Sequence, residues 1–125
     1  GNKIIQRGNT PHAWEAYTVT ATATSGTLGA NSATGFFTRS GKTVDVRIVV
    51  NITTNGTGAA SIRVTLPSQA KAAHVLCGRA ASVSSKMLQG IGAASVAYID
   101  ILNFDGSYPG ANGEQLIVCG SYEEA

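Results

Sequence analysis

The segment Thr43–Thr53 alternates strictly along its length. Val44, Val46, Ile48, Val50 and Ile52 fall on one side, and Asp45, Arg47, Val49 and Asn51 on the other. Side chains of an extended backbone point to opposite faces at a period of two, and β-branched residues pack well on a pleated surface. The pattern predicts a long, half-buried strand and excludes a helix there. No part of the chain sustains a helical repeat over three turns. A chain with this strand at its centre is expected to be all-β.

Other segments repeat the signal. Residues 15–24 place Ala16, Thr18, Thr20, Thr22 and Thr24 opposite Tyr17, Val19, Ala21 and Ala23. A loop of small residues is expected from Ser25 to about Ala33. Phe36–Arg39 reads as a short strand, and Ser40-Gly41-Lys42 as a tight hairpin turn, since glycine takes the positive φ such turns need. Asn55-Gly56-Thr57-Gly58 is a second turn signal of the type I′ kind, after which Ser61–Leu66 returns and Pro67 ends the strand. Further strands are expected at 74–83, 87–91, 95–102 and 115–122, with a Gly, Asn, Asp and Pro-rich loop over 103–113. About eight strands at this spacing predict an antiparallel β-sandwich, jelly-roll-like. Residues 1–13 read as a lead-in or linker end and 14–125 as a single domain, in keeping with 125 residues.

Composition narrows the function classes. Charged residues are only 13%, about half the usual ~25%, so the chain is not a disordered polyelectrolyte. Nine basic and seven acidic residues give a formal charge of +2, too balanced for a nucleic-acid scaffold. There is no apolar run near the ~20 residues of a membrane span, so no membrane insertion is expected. No signal-peptide pattern is expected either. Cys77 and Cys119 lack CxxC spacing, which argues against structural zinc. Each lies in an apolar strand-like segment and is expected to be a buried thiol acting as a small hydrophobe. Their pairing stays open, because a disulfide needs α-carbons within about 7 Å.

Candidate chemistry is sparse. His12 reads as solvated and His74 as a structural residue that opens a strand. No nucleophile sits in a G-x-S-x-G context. Glycoside hydrolysis needs two carboxylates about 5–10 Å apart; Asp45 and Asp100 are mid-strand and read as exposed strand residues. Asn103-Phe104-Asp105-Gly106-Ser107 lacks the second acid and terminal Glu of a Ca²⁺ loop and reads as a turn. The chain is therefore expected to be no enzyme, with no metal and no cofactor. Aromatic rings carry the remaining signal. Tyr108, with Asn103, Asp105 and Asn112 near it in sequence, is the best local candidate for a glycan contact, since a half-wet ring stacks on the apolar face of a sugar. Phe36 and Phe37 straddle one strand, so one ring points outward.

The order of features resembles the C-terminal β-sandwich module of bacteriophage tail fibres and tailspikes. The residues that carry the resemblance are Trp14 before Tyr17-Thr18-Val19-Thr20, then Gly35-Phe36-Phe37-Thr38-Arg39-Ser40-Gly41-Lys42-Thr43-Val44, then Ile62-Arg63-Val64-Thr65-Leu66-Pro67, and finally Leu116–Glu123 with its Gly120-Ser121-Tyr122. The loop at 25–33 and the stretch 68–94 carry no match. The resemblance implies a homotrimer in the virion that acts outside the cell. It also implies attachment to a host-surface polysaccharide or lipopolysaccharide, with Trp14, Tyr17, Phe36 and Phe37 as trimer or stalk contacts. Two other readings share the β pattern. One is a purely structural trimerisation cap of a fibre, and the other is a monomeric lectin-like carbohydrate-binding module. The abrupt start leaves room for a larger protein with a catalytic part upstream.

Overall fold

The computed structural model describes residues 13–125. Within them the chain forms nine strands and no helix: β1 (Glu15–Tyr17), β2 (Ala21–Ser25), β3 (Asn31–Ser40), β4 (Thr43–Ile52), β5 (Ala59–Thr65), β6 (His74–Ala80), β7 (Met87–Gly92), β8 (Tyr98–Asn103) and β9 (Gln115–Glu123). The lead-in and His12 lie outside the described residues, apart from Ala13. Every pairing is antiparallel, in the order β1-β3-β4-β9-β6-β7-β8-β5-β2, as one sheet curled into a half-barrel.

The sheet's two end strands, β1 and β2, are consecutive in the chain, joined only by Thr18-Val19-Thr20. The sequence pattern over 15–24 predicts a single strand there. The backbone instead leaves β3 after Tyr17 and joins β5 from Ala21. A strand that switches partners through a bend makes a corner, and here the corner draws the two edges together. The Tyr17 hydroxyl donates to Thr65 O at 2.9 Å, and Thr65 N donates to Thr20 O at 3.2 Å. This split accounts for nine strands where about eight are expected.

The β3–β4 hairpin turns at Gly41, with φ of +64°, as the sequence predicts. The turn at 55–58 behaves differently. β4 pairs with β3 and β9, and β5 with β8 and β2, so Asn55–Gly58 carries a crossover between distant strands rather than closing a hairpin. Gly29 N and Gly58 N both donate to Asn55 O, which ties this crossover to the 25–30 loop. Strands β6 to β8 form a meander and β9 returns beside β6, giving the spatial order of a Greek key.

The inner face is a single apolar core. Val44, Val46, Ile48, Val50 and Ile52 of β4 are all buried, and meet Leu116, Val118, Ile62, Val64, Leu76, Leu88, Ile99 and Ile101. Fully burying one such side chain stabilises the fold by about 1.5–3 kcal/mol. Glycine makes room in two places. Gly78 has the Ile117 backbone where a Cβ would stand, and Gly35 has the Tyr17 ring and Val19 there. Neither the backbone beside Gly78 nor the side chains packed on Gly35 leave room for a Cβ.

Candidate functional site

Because the inner face is filled, any contact surface lies outside. The cross-strand register builds that surface row by row. Ala16 pairs with Phe36, Phe36 with Arg47, Arg47 with Cys119, and Cys119 with Cys77. Residues opposite one another in antiparallel strands project to the same face. Ile117 stands opposite Val49 on one side and Arg79 on the other, and Val75 opposite Ile91.

At one end of this face stands Trp14, 53% exposed. The Arg47 guanidinium lies 5.9 Å from its ring centre and 5.5 Å from that of Phe36. A guanidinium between two aromatic faces is attracted by both quadrupoles, by about 0.5–1 kcal/mol each at an exposed site. Among the described residues no carboxylate comes within ion-pair distance of Arg47. Beside it runs an open, shallow groove of about 430 Å³, lined by Trp14, Asp45, Val46, Arg47, Cys119, Gly120 and Ser121. Val75, Met87 and Ile91 continue the exposed apolar surface over β6 and β7.

The four aromatics expected as trimer or stalk contacts divide by strand parity. Phe37 is 9% exposed, and Tyr17 meets its ring edge-on with centroids 5.8 Å apart. Both face the core, where burial and the neighbouring Tyr122 push the Tyr17 hydroxyl pKa well above its usual value. Trp14 and Phe36 are on the outside.

The glycan candidates form two small clusters in the loop between β8 and β9. The Tyr108 hydroxyl donates to Asn55 Oδ1 at 2.6 Å, and Asn112 Oδ1 accepts from Asn55 N at 2.7 Å. The Tyr108 ring is half-buried over Gly58 and Gly110, and burial raises its pKa. Asn103 is only 5% exposed, and its Nδ2 donates to Ser107 Oγ and Tyr108 O. Asp105 accepts from the Ser107 hydroxyl and backbone N–H, which hold its carboxyl below the usual range. Tyr108, Asn103 and Asn112 thus brace the loop, and only Asp105 and Asn112 are exposed.

Asp45 and Asp100 are on β4 and β8, four strand positions apart. Asp100 is engaged by Arg63 through two hydrogen bonds of 2.8 and 3.1 Å. His74 stacks on Tyr122 with ring centres 5.1 Å apart. Among the described residues no three His, Cys, Asp or Glu side chains gather as a metal site would require.

Two features run against the sequence reading. Cys77 and Cys119, expected to be buried, are both exposed and free. Strand parity explains it: Leu76 and Val118 take the inward positions beside them. Glu114, which falls between the loop expected over 103–113 and the strand expected over 115–122 and is singled out by neither, is 1% exposed. Its Oε1 accepts from Ser82, Val83 and Gln115 N–H and its Oε2 from Ser84 N–H, at 3.0–3.1 Å. Burial raises the carboxyl pKa, but the four donors outweigh it and hold the group below its usual value. The one sequence signal was its place directly before the apolar strand 115–122.

Comparison with family models, curated proteins and solved structures returned no match.

Proposed function

We propose that this chain is a non-catalytic attachment module of the phage tail-fibre or tailspike kind, a jelly-roll-like β-sandwich that works as a homotrimer at the host surface. The ordered motifs from Trp14 to Tyr122 suggest the class, and the Greek-key order of β6 to β9 is compatible with it. The observation that carries the contact surface is the Phe36–Arg47–Trp14 cluster: two aromatics and a guanidinium with no ion pair among the described residues, beside an exposed, mostly apolar groove. Trp and Arg are the side chains most enriched among residues that dominate protein interfaces. The second copy of the chain is the occupant this proposal assigns to that face.

Light scattering coupled to size exclusion tests it. A mass near three chains, lowered by Trp14→Ala or Arg47→Ala, is the expected result. A single-chain mass at every concentration overturns the trimer. The glycan partner is a host polysaccharide or lipopolysaccharide. Asp105 and Asn112 at the loop end would offer it polar groups, with Tyr108 beneath them. Tyr108→Ala is expected to lower both binding to host cells and the midpoint of thermal unfolding, because the ring and its bond to Asn55 brace the loop. Asp105→Ala, at an exposed side chain, is expected to lower binding with the midpoint nearly unchanged; unchanged binding in both removes the loop from the attachment site.

A further inference from the structure

We infer that Cys77 and Cys119 form a cross-strand dithiol that takes a small-molecule disulfide as its reagent and closes into an intramolecular bridge across the middle of the sheet. The two residues are direct register partners on β6 and β9, and both are exposed and free. Ala81 N donates to Gln115 O at 2.8 Å. Stepping two residues at a time down the ladder puts Arg79↔Ile117 and Cys77↔Cys119 in the same hydrogen-bonded class. Such partners have α-carbons about 5.5 Å apart with side chains on one face. The α-carbon separation suits a disulfide, but hydrogen-bonded partners hold their β-carbons about 5.5 Å apart, wider than the ~3.5–4.5 Å of a relaxed bridge. Closure therefore draws the two strands together locally and leaves a strained, readily reduced bond. Among the described residues nothing covers the thiols from outside. Arg47 on β4 stands opposite Cys119, and Arg79 follows two residues after Cys77 on the same face, so two arginine positions flank the target on the face an anionic disulfide would approach.

The exchange balances without any further reagent. One cysteine thiolate attacks the reagent's S–S bond, forms a mixed disulfide and releases one small thiol. The second thiolate attacks the protein-side sulfur, forms the Cys77–Cys119 bond and expels the other small thiol. The protons lost by the two cysteines end on the two released thiols. The cysteines give up two electrons, and the reagent disulfide takes them.

The position gives closure a structural consequence. The β6–β9 ladder runs only from Cys77↔Cys119 to Ala80↔Leu116, whereas β4 pairs with β9 from Thr43↔Glu123 to Asn51↔Gln115. This short ladder joins the β1-β3-β4-β9 side to the β6-β7-β8-β5-β2 side. The bridge would pin the seam at the end of its pairing.

The test is exposure of the reduced protein to oxidised glutathione, followed by alkylation with iodoacetamide and mass measurement on the intact chain. Expected are loss of two hydrogens' mass, protection of both thiols, a Cys77–Cys119 linked peptide in the unreduced digest, and reversal by dithiothreitol. Cys77→Ser is expected to stop at one stable glutathione adduct on Cys119. Separate adducts on both cysteines, bridges between copies, or two thiols that stay alkylatable in both the wild type and Trp14→Ala would each overturn the inference. Trp14→Ala is run in parallel because self-association on this face would shield the thiols. Closure in that variant alone supports both the dithiol and the interface, and failure in both proteins rejects the dithiol whatever the oligomeric state.

Discussion

The outer surfaces of two parts of the sheet carry similar residue types to opposite effect. On β5 and β8, Arg63 stands opposite Asp100 and makes two hydrogen bonds to its carboxylate. Its guanidinium also lies 4.0 Å from the Tyr98 ring centre. On β3, β4 and β9, Arg47 stands between Phe36 and Cys119, with Trp14 above and no carboxylate in reach among the described residues. One arginine is consumed by its own sheet. The other is left with aromatic company and an open groove. The difference is one of register: a cross-strand acid neutralises the first, and a thiol and a phenyl ring leave the second available to a partner.

The comparison can be broken at several levels. The inner face should not distinguish the two parts. Ile48→Ala on β4 and Ile101→Ala on β8 should each cost about 2–5 kcal/mol in denaturant unfolding. A cost near zero for either would show that its side has no shared core. Glu114 holds the loop after β6 to the start of β9, next to the thiol seam. Glu114→Gln should cost about 1–3 kcal/mol, because the buried carboxylate's charge-assisted bonds to four backbone N–H groups are lost or weakened. The native carboxyl pKa is depressed below the ordinary 4.5. Its stabilisation is therefore fully present above about pH 4.5 and lost as pH falls through the lower native value. Wild type should lose stability in that acid window more steeply than Glu114→Gln. Parallel acid curves would contradict the role.

The surface variants sharpen the contrast. Arg63→Ala should cost about 0.5–1 kcal/mol, since the pair is two-pronged but partly exposed, and should leave the solution mass unchanged. Arg47→Ala should do the reverse, lowering the mass with little change in monomer stability. Trp14→Ala should be the smallest in stability, within about 0.5 kcal/mol, as expected for an exposed side chain. If Arg63→Ala alone disperses the oligomer, the contact face is on the wrong side of the sheet.

Much of the fold is legible in local pattern. Alternation marks β4 and its buried face, and parity requires one of Phe36 and Phe37 to point outward, though only the structure shows that Phe37 is the buried one. The Gly41 turn is equally plain. Local pattern fails where a long-range partner sets the outcome. Thr18-Val19-Thr20 alternates like a strand, but the edges of a curled sheet meet there. Asn55-Gly56 has hairpin chemistry, but the strands it joins belong to different parts of the sheet. Asn103 and Glu114 look like loop polar residues, and both are buried because backbone N–H groups or neighbouring loop atoms await them.

Residue order alone was enough for the strand character of β4, its inward face and the absence of a helical element among the described residues. These depend on side chains a few positions apart, which extended geometry forces to one side or the other. Which strands become neighbours lay beyond that reach. Cys77 and Cys119 are 42 positions apart in the sequence and opposite one another in the sheet. Local spacing cannot express a pairing that exists only once the β8–β9 connection has carried the last strand back beside β6. The open face, the dithiol and the buried Glu114 all arise from that return.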